Sequence, residues 1–173
     1  MHDIDRFTHG APAAEIGRPL RLYQCAVDPN WIDYNGHMTE GSYLTAFGDA
    51  SDALFRYVGI DEAYRAAGHS FYTVETHINY YLEARNGESL DITTQLLGLD
   101  AKRLHIFHTM VNELTGERLA TTEQMLVHVA TRTASAAPMQ PDVHAALEAI
   151  LAAHVTMPLP TQVGRRISMK HKN

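Results

Sequence analysis

A chain of 173 residues with an apolar fraction of 45% is long enough for one domain with a substantial core. Its formal net charge of -6 excludes a general nucleic-acid-binding protein, because such proteins need a basic face. One cysteine excludes an intramolecular disulfide, and the lack of a long apolar run or a signal-peptide start predicts a cytoplasmic protein without a membrane span.

The pattern of apolar residues divides the chain into three parts. Residues 1–18 are interrupted by glycine and proline, which predicts a flexible N-terminal segment. A single domain is predicted over residues 19–156. Residues 157–173 form a C-terminal tail with prolines and a basic end, and we expect it to be mobile or to fold over a partner.

The first half of the domain changes from an alternating pattern to a helical one. A strand is predicted over Arg21–Asp28. Ser42–Val58 has apolar residues at helical spacing, and Gly59 is a suitable C-terminal stop. A short helix is predicted over Asp61–Ala67.

The second half alternates with a period of two. Four consecutive strands are predicted, namely Ser70–Ala84, Ser89–Leu99, Arg103–Asn112 and Arg118–Ala130. A second helix is predicted over Pro141–His154. This order predicts an α+β fold in which a curved antiparallel sheet packs against one long helix, and the open edges of such a sheet favour pairing of two copies.

The loop between the first strand and the long helix, Trp31–Tyr43, carries the densest set of reactive and aromatic side chains. Its run DYNGHMTE over residues 33–40 resembles the signature of the hotdog-fold acyl-CoA thioesterases of the 4-hydroxybenzoyl-CoA thioesterase type. The run THINY over residues 76–80 resembles the second strand of that family. The resemblance covers roughly Leu20–Ala130 and implies a long central helix wrapped by a curved antiparallel sheet, with thioester hydrolysis as the activity.

Three runs resemble one branch of this family more closely, the betainyl-CoA thioesterases of bacterial carnitine breakdown. They are WIDYNGHMTE over residues 31–40, KRLH over residues 102–105 and TTEQM over residues 121–125. The resemblance implies hydrolysis of betainyl-CoA to glycine betaine and CoA. Two alternatives stay open: a thioesterase for another short or aromatic acyl-CoA, and a non-catalytic hotdog module that binds acyl-CoA.

The resemblance implies that Asp33 is the catalytic carboxylate, which either attacks the thioester carbonyl or activates a water. We expect Asn35 and His37 to orient Asp33 or the water. Backbone N–H groups around Glu40 and Gly41, at the start of the helix, are the expected oxyanion donors. A turn-forming role for Asp33 and a loop-stabilising role for His37 are the alternatives.

Glu40 departs from the family pattern, which usually has an uncharged side chain at this position. A carboxylate near an active loop suits a cationic acyl group. We therefore expect Glu40 to hold the trimethylammonium of the substrate, with aromatic faces supplied by Trp31, Tyr34 or Tyr43. The alternative is that Glu40 is a first-turn residue stabilised by the helix dipole.

Three cations at strand ends, Arg85, Lys102 and Arg103, are candidates for binding the phosphates of CoA. CoA is part of the substrate, and no other cofactor is expected. The histidines of the strands lack standard ligand spacing, so no metal site is expected. The expected partners are the acyl-CoA substrate and further copies of the chain, as a homodimer or a dimer of dimers.

Overall fold

A computed structural model describes residues 15–169, so most of the N-terminal segment and the last four residues of the tail lie outside the described part. The strands are β1 (Leu20–Ala26), β2 (His69–Tyr80), β3 (Ser89–Leu99), β4 (Arg103–Asn112), β5 (Arg118–Ala130) and β6 (Ser135–Ala136). The helices are α1 (Glu40–Tyr57), α2 (Glu62–Ala66) and α3 (Pro141–His154), with one 3-10 turn at Pro29–Trp31. Within residues 15–169, none of the helices has the length and apolar character needed to span a membrane.

The strands form one antiparallel sheet in the order β1-β3-β4-β5-β2, with β6 paired to the end of β5. The predicted α+β architecture, a long helix against a curled antiparallel sheet, is confirmed. β4 shows how the alternation produces it, because Leu104, Ile106, His108 and Met110 are all buried toward the helices. The predicted bounds of β3, β4, β5 and α3 are those observed.

Two buried clusters fill the space between the sheet and the helices. The first half of α1, with Phe47 at its centre, packs on β1, β3 and the start of β5. The second half shares its cluster with α3, where Leu147 and Ile150 are buried against the same strands. α3 therefore extends the helical layer beside α1, so the sheet packs against two helices where the sequence predicted one.

The main difference from the predicted elements lies at the end of β2, which was expected to continue to Ala84. The strand ends at Tyr80, and although the N–H groups of Tyr81 and Leu82 still donate to the carbonyl of Leu119 in β5, Ala84 bonds to α1 and the loop before it. The N–H of Met38 donates to the carbonyl of Ala84 at 2.8 Å, and the N–H of Ala84 donates to the Tyr43 hydroxyl at 2.9 Å. The backbone at Ala84 is thus satisfied by α1 and its loop, which draws the end of the segment away from β5.

β2 is an edge strand that pairs only with β5 among the described residues. A β-bulge between Thr73 and Glu75 interrupts its register with β5. Apolar side chains on this edge are unusually open to solvent, with Tyr72 48% and Val74 60% exposed. An uncovered apolar edge of this kind is a surface for pairing with another chain.

Part of the C-terminal tail lies on the face of the sheet opposite to the helices. Gln95 donates through Nε2 to the carbonyl of Pro158 at 3.3 Å, and the N–H of Gly164 donates to Glu123 Oε2 at 2.8 Å. Gln162, between these two contacts, is only 8% exposed. The tail from Pro158 to Gly164 is thus fixed to the domain, a contact that the sequence analysis did not foresee.

Candidate active site

The loop that precedes α1 is a tight hairpin closed by a bridge between Ile32 and Met38. The N–H of Asp33 donates to the carbonyl of His37 at 2.9 Å, and the N–H of Gly36 donates back to the carbonyl of Asp33 at 3.0 Å. Gly36 has φ of 81°, a left-handed conformation that glycine adopts without a steric cost. Asn35 and Gly36 therefore form the turn, and Asp33 lies at its base.

The carboxylate of Asp33 is held by its own loop. Oδ1 accepts from the N–H of Asn35 at 2.8 Å and from the N–H of His37 at 3.4 Å, and Oδ2 accepts from Asn35 Nδ2 at 3.3 Å. Desolvation acts to raise the pKa of Asp33, but these bonds outweigh it and lower the pKa below its ordinary value. The turn-forming contacts and an ionised carboxylate coexist, and Oδ2 keeps bonding capacity for a substrate or a water.

Three contacts fasten this loop to the segment that follows β2. His37 Nε2 lies 2.9 Å from Glu83 Oε2, in addition to the backbone bond between Met38 and Ala84. The Tyr43 hydroxyl donates to the carbonyl of Leu82 at 3.3 Å. His37 thus contacts Asp33 through its backbone and Glu83 through its ring, which fits both the orienting and the loop-stabilising interpretation.

The first turn of α1 leaves backbone donors unpaired. Thr39, at the N-cap position, makes no side-chain bond to the helix backbone, because its hydroxyl contacts Ser42 Oγ at 2.8 Å. Across residues 15–169, nothing accepts a hydrogen bond from the N–H of Glu40 or Gly41. Apart from its chain neighbours and its own helix backbone, no described atom lies within 4 Å of the place where a Cβ on Gly41 would sit. Unpaired N–H groups at a helix start are donors that a ligand can use.

A pocket of about 560 Å³ lies between this first turn and the end of β2. Its lining consists of Met38, Glu40, Tyr43, Tyr80, Tyr81, Leu82 and Glu83. The rings of Tyr43 and Tyr80 meet edge to face with centroids 5.3 Å apart, and the Tyr80 hydroxyl donates to the carbonyl of Glu40 at 3.1 Å. Tyr80 therefore crosses over the start of α1, a position that the sequence analysis missed.

The three predicted aromatic residues have different surroundings. Tyr43 lines the pocket, but it is buried and its hydroxyl is bonded to the backbone of Leu82 and Ala84. Trp31 packs against the apolar cluster of the first half of α1, and Tyr34 is 96% exposed at the tip of the loop. Neither Trp31 nor Tyr34 lines the pocket.

The predicted CoA-binding cations lie at opposite ends of the sheet within one chain. Arg85 follows the segment that borders the pocket, whereas Lys102 and Arg103 lie beyond the far end of β3, about 30 Å away for a strand of this length. Arg103 is paired with Asp100 at 2.6 Å. The N–H of Lys102 and the guanidinium of Arg103 lower the pKa of Asp100 to about 2.

The histidines of the sheet do not converge. His108 is fully buried under α1, whereas His105 lies on the opposite face with Nε2 2.8 Å from Glu123 Oε1. In the described part of the chain, no group of three or more histidine, cysteine or carboxylate side chains could hold a metal ion.

A family model described as the thioesterase-like superfamily matches residues 27–147. This stretch contains the hairpin loop, α1 and the strands β2 to β6. The chain belongs to the thioesterase-like superfamily. The resemblance drawn from the DYNGHMTE run and the order of the elements is thereby confirmed.

Two curated relatives are similar to most of the chain. The thioesterase-like chain is 43% identical over 155 residues to the betainyl-CoA thioesterase of Pseudomonas aeruginosa, a match that covers 89% of this chain and 98% of that protein. It is 44% identical over 163 residues to the L-carnitine dehydrogenase/betainyl-CoA thioesterase of Rhizobium meliloti. That match covers 93% of this chain, but the chain spans only 33% of the length of this longer relative.

A solved structure supports the same conclusion for the fold. The crystal structure of a candidate thioesterase from Pseudomonas putida superposes on the thioesterase-like chain with a TM-score of 0.78 at 34% sequence identity. The superposition covers 89% of this chain and 99% of that one. The hotdog arrangement of helix and sheet is therefore shared over nearly the whole described domain.

Proposed function

We propose that the protein is an acyl-CoA thioesterase that hydrolyses betainyl-CoA to glycine betaine and CoA. The observation that carries this proposal is the position of the Asp33 hairpin directly before the unpaired N–H groups of Glu40 and Gly41. The identity of 43% with a betainyl-CoA thioesterase over 98% of that protein's length supports the choice of substrate.

In the proposed reaction the Asp33 carboxylate and the N–H groups at the start of α1 have different roles. Asp33 supplies a carboxylate that is ionised at neutral pH because its pKa is lowered. A lowered pKa weakens a carboxylate both as a base and as a nucleophile, so attack on the thioester carbonyl and activation of a water are the two routes open to Asp33. In the first route, attack would form a mixed anhydride and release the CoA thiolate. Water would then hydrolyse the anhydride to glycine betaine and the free Asp33 carboxylate, with one proton passing to the thiolate and one to solvent. The N–H groups of Glu40 and Gly41 would stabilise the oxyanion of each step.

We propose that the active form is a homodimer in which β2 pairs with β2 of a second copy. The exposed apolar side chains on this edge and its unpaired backbone support the pairing. A dimer of dimers would add a second interface to the same unit. Sedimentation or light scattering measures the assembly, and Val74→Lys on the β2 edge is expected to shift it toward the monomer.

Such a dimer would bring Lys102 and Arg103, which lie far from the pocket of their own chain, close to the pocket of the second copy. Lys102 accepts through its carbonyl from the N–H of His128 at 2.7 Å, and His128 is opposite Phe71 near the start of β2. Antiparallel pairing of two β2 strands brings the start of one strand beside the end of the other. Lys102 and Arg103 of one copy would then approach the pocket of the other, whose bordering segment is followed by Arg85, and the three cations could contact the phosphates of CoA.

The experiment that tests the proposed function is a panel of acyl-CoA esters with a thiol reagent that detects free CoA. We expect turnover of betainyl-CoA by the wild type and loss of turnover in Asp33→Asn, which keeps the size of the side chain and an oxygen that can accept the turn bonds. Preference for another short or aromatic ester would change the substrate. Binding of CoA esters without release of CoA would identify a non-catalytic module.

The cytoplasm is the proposed location, and no cofactor beyond the CoA of the substrate is proposed. The single cysteine, Cys25, is compatible with a reducing compartment. Cell fractionation with an antibody against the protein tests the location, and activity of protein dialysed against a chelator tests the independence from a metal.

A further inference from the structure

The pocket beside α1 has an unusual charge for a site that serves an acyl-CoA, itself a polyanion. Its lining carries two carboxylates, Glu40 and Glu83, and no basic side chain among the residues that form it. Glu83 is paired with His37 at 2.9 Å. Glu40 is exposed, and the described residues offer no ion pair or hydrogen bond to its carboxylate, so a cation in the pocket would not have to displace a protein partner.

One aromatic ring in the pocket is available to such a cation. Tyr81 carries the guanidinium of Arg118 over its ring, 4.7 Å from the centroid, and Tyr43 is almost entirely buried. Tyr80 is 47% exposed and is held over the first turn of α1 by its bond to the carbonyl of Glu40. Tyr80 and Glu40 thus line the same pocket beside the first turn of α1.

We propose that Tyr80 and Glu40 together form the subsite that recognises a quaternary ammonium in the acyl group of the substrate. The inference rests on the proposed thioesterase function and assigns its selectivity to two residues. It replaces the expected contribution of Trp31 and Tyr34, which do not line the pocket, with a tyrosine at the end of β2.

The covalent structure of betainyl-CoA places its cation close to the reacting carbonyl. A single methylene separates the ammonium nitrogen from the thioester carbonyl carbon, so the cation must bind next to the oxyanion donors. Glu40 supplies one of those N–H groups and the carboxylate, and the Tyr80 hydroxyl is bonded to the carbonyl of the same residue. The oxyanion and the cation would therefore be bound around one helical turn.

The apolar part of the pocket suits a methylated ammonium. The hydroxyls of Tyr43 and Tyr80 both donate to the backbone, so they present no free O–H to the pocket. Met38 and Leu82 add apolar surface. A trimethylammonium has no N–H to satisfy and binds through its methyl surface, aromatic faces and a nearby negative charge.

Glu40 also has a consequence for neutral substrates. A carboxylate beside a developing oxyanion is unfavourable unless a cation of the substrate compensates it. Glu40 would therefore select for a cationic acyl group twice, by attracting it and by opposing reaction of an uncharged one. Removal of the charge is expected to change the two reactions in opposite directions.

The test compares betainyl-CoA with 3,3-dimethylbutyryl-CoA, in which carbon replaces the ammonium nitrogen and the shape is unchanged. For Glu40→Gln we expect kcat/KM to fall about tenfold or more on betainyl-CoA and to stay level or rise on the neutral ester. For Tyr80→Leu we expect a fall of about tenfold on betainyl-CoA only. Tyr80→Phe, which keeps the ring, should retain most of the preference. Glu148→Gln on α3 and Tyr57→Leu at the end of α1 are matched controls for charge and ring.

A second readout does not depend on turnover. Calorimetry measures the binding of the thioether analogues of both esters, in which a methylene replaces the carbonyl, to the wild type and to Glu40→Gln. If the wild type binds the cationic thioether more tightly and Glu40→Gln loses this preference, the subsite is supported. Absence of ester hydrolysis in the same protein would refute only the proposed hydrolysis. Equal losses on both esters in either variant, or equal binding of both thioethers by the wild type, would refute the subsite while leaving hydrolysis intact.

Discussion

The first turn and the middle of α1 both carry polar groups, but only the first turn leaves them unpaired. In the middle, Ser51 Oγ lies 2.9 Å from His108 Nε2 and 3.2 Å from Gln124 Oε1, and Thr94 Oγ1 lies 2.8 Å from His108 Nδ1. At the first turn, two N–H groups and a carboxylate have no partner in residues 15–169. Incomplete pairing marks the end of the helix that can bind a ligand.

The contact between Ser51 and His108 has the distance of a nucleophile and its base, yet its surroundings exclude that role. His108 is 0% exposed and stacks on Phe47 with centroids 5.8 Å apart. Burial lowers the pKa of His108 to about 3, so the ring cannot hold a proton taken from Ser51 at neutral pH. The network satisfies polar groups beneath the helix and specifies how the helix sits on the sheet.

The largest effect that separates the two regions is expected for Asp33→Asn beside Ser51→Ala. Loss of the carboxylate should lower kcat/KM about a thousandfold or more, because Asp33 supplies the carboxylate on which the proposed reaction depends. Ser51→Ala should leave kcat/KM within about threefold, since Ser51 acts only in packing and hydrogen bonding. Steady-state assays with a thermal melt of each variant make the comparison. A loss of activity in Ser51→Ala at unchanged stability would make the buried pair catalytic and contradict our assignment.

Stability, unlike activity, should depend on the buried network under the middle of α1. His108→Ala should therefore lower the free energy of unfolding more than His105→Ala on the outer face of the sheet. The substitution leaves a cavity and deprives Ser51 and Thr94 of a shared partner, which should cost about 3 kcal/mol in the free energy of unfolding. His105→Ala on the outer face removes a partly exposed contact to Glu123 and should cost about 1 kcal/mol or less. Urea denaturation measures both variants. Equal losses in the two variants would show that the buried network stabilises the fold no more than the contact on the outer face does.

The sequence predicts the strand positions of this comparison but not their partners. Alternation places His108 on the same side as Leu104 and Met110, which is toward the helices. That Thr94 and Ser51 would bracket its ring depends on strand register and on how deeply α1 sits, and neither follows from local pattern. Asp33 could be proposed from the sequence because the family motif is local. Tyr80 could not, because its place beside Glu40 depends on β2 ending where Tyr43 binds the next segment.

The pH dependence of stability distinguishes the same groups by the direction of their pKa shifts. Burial lowers the pKa of His108, His128 and His154 below the ordinary value of 6.5. The unfolded chain then binds protons that the folded chain does not, so stability is present above pH 6.5 and falls as the pH drops toward the folded pKa values. One such group contributes a slope of about 1.4 kcal/mol per pH unit at most.

Urea denaturation at pH 7.5, 6 and 5 checks this expectation. The free energy of unfolding should decrease over this series, and the decrease should be smaller in His108→Gln, which cannot titrate. Turnover by the protein that remains folded should change less, because Asp33 stays ionised when its pKa is lowered. A stability that is flat from pH 7.5 to 5 would contradict the assignment of neutral buried histidines.

The smallest effect is expected on the face of the sheet remote from α1, where Glu123 joins the tail to the domain. Its Oε1 contacts His105 Nε2 and its Oε2 accepts from the N–H of Gly164, both at 2.8 Å. Glu123→Ala should release this anchor, so trypsin should cleave at Arg165 and Arg166 several-fold faster. The free energy of unfolding should fall by about 1 kcal/mol or less, and kcat/KM should be unchanged. Glu117→Ala, on an exposed turn, is the control. Equal cleavage of both variants would mean that Gln95 and the packing of Gln162 hold the tail without Glu123. A loss of turnover in Glu123→Ala would show instead that the outer face of the sheet affects the pocket.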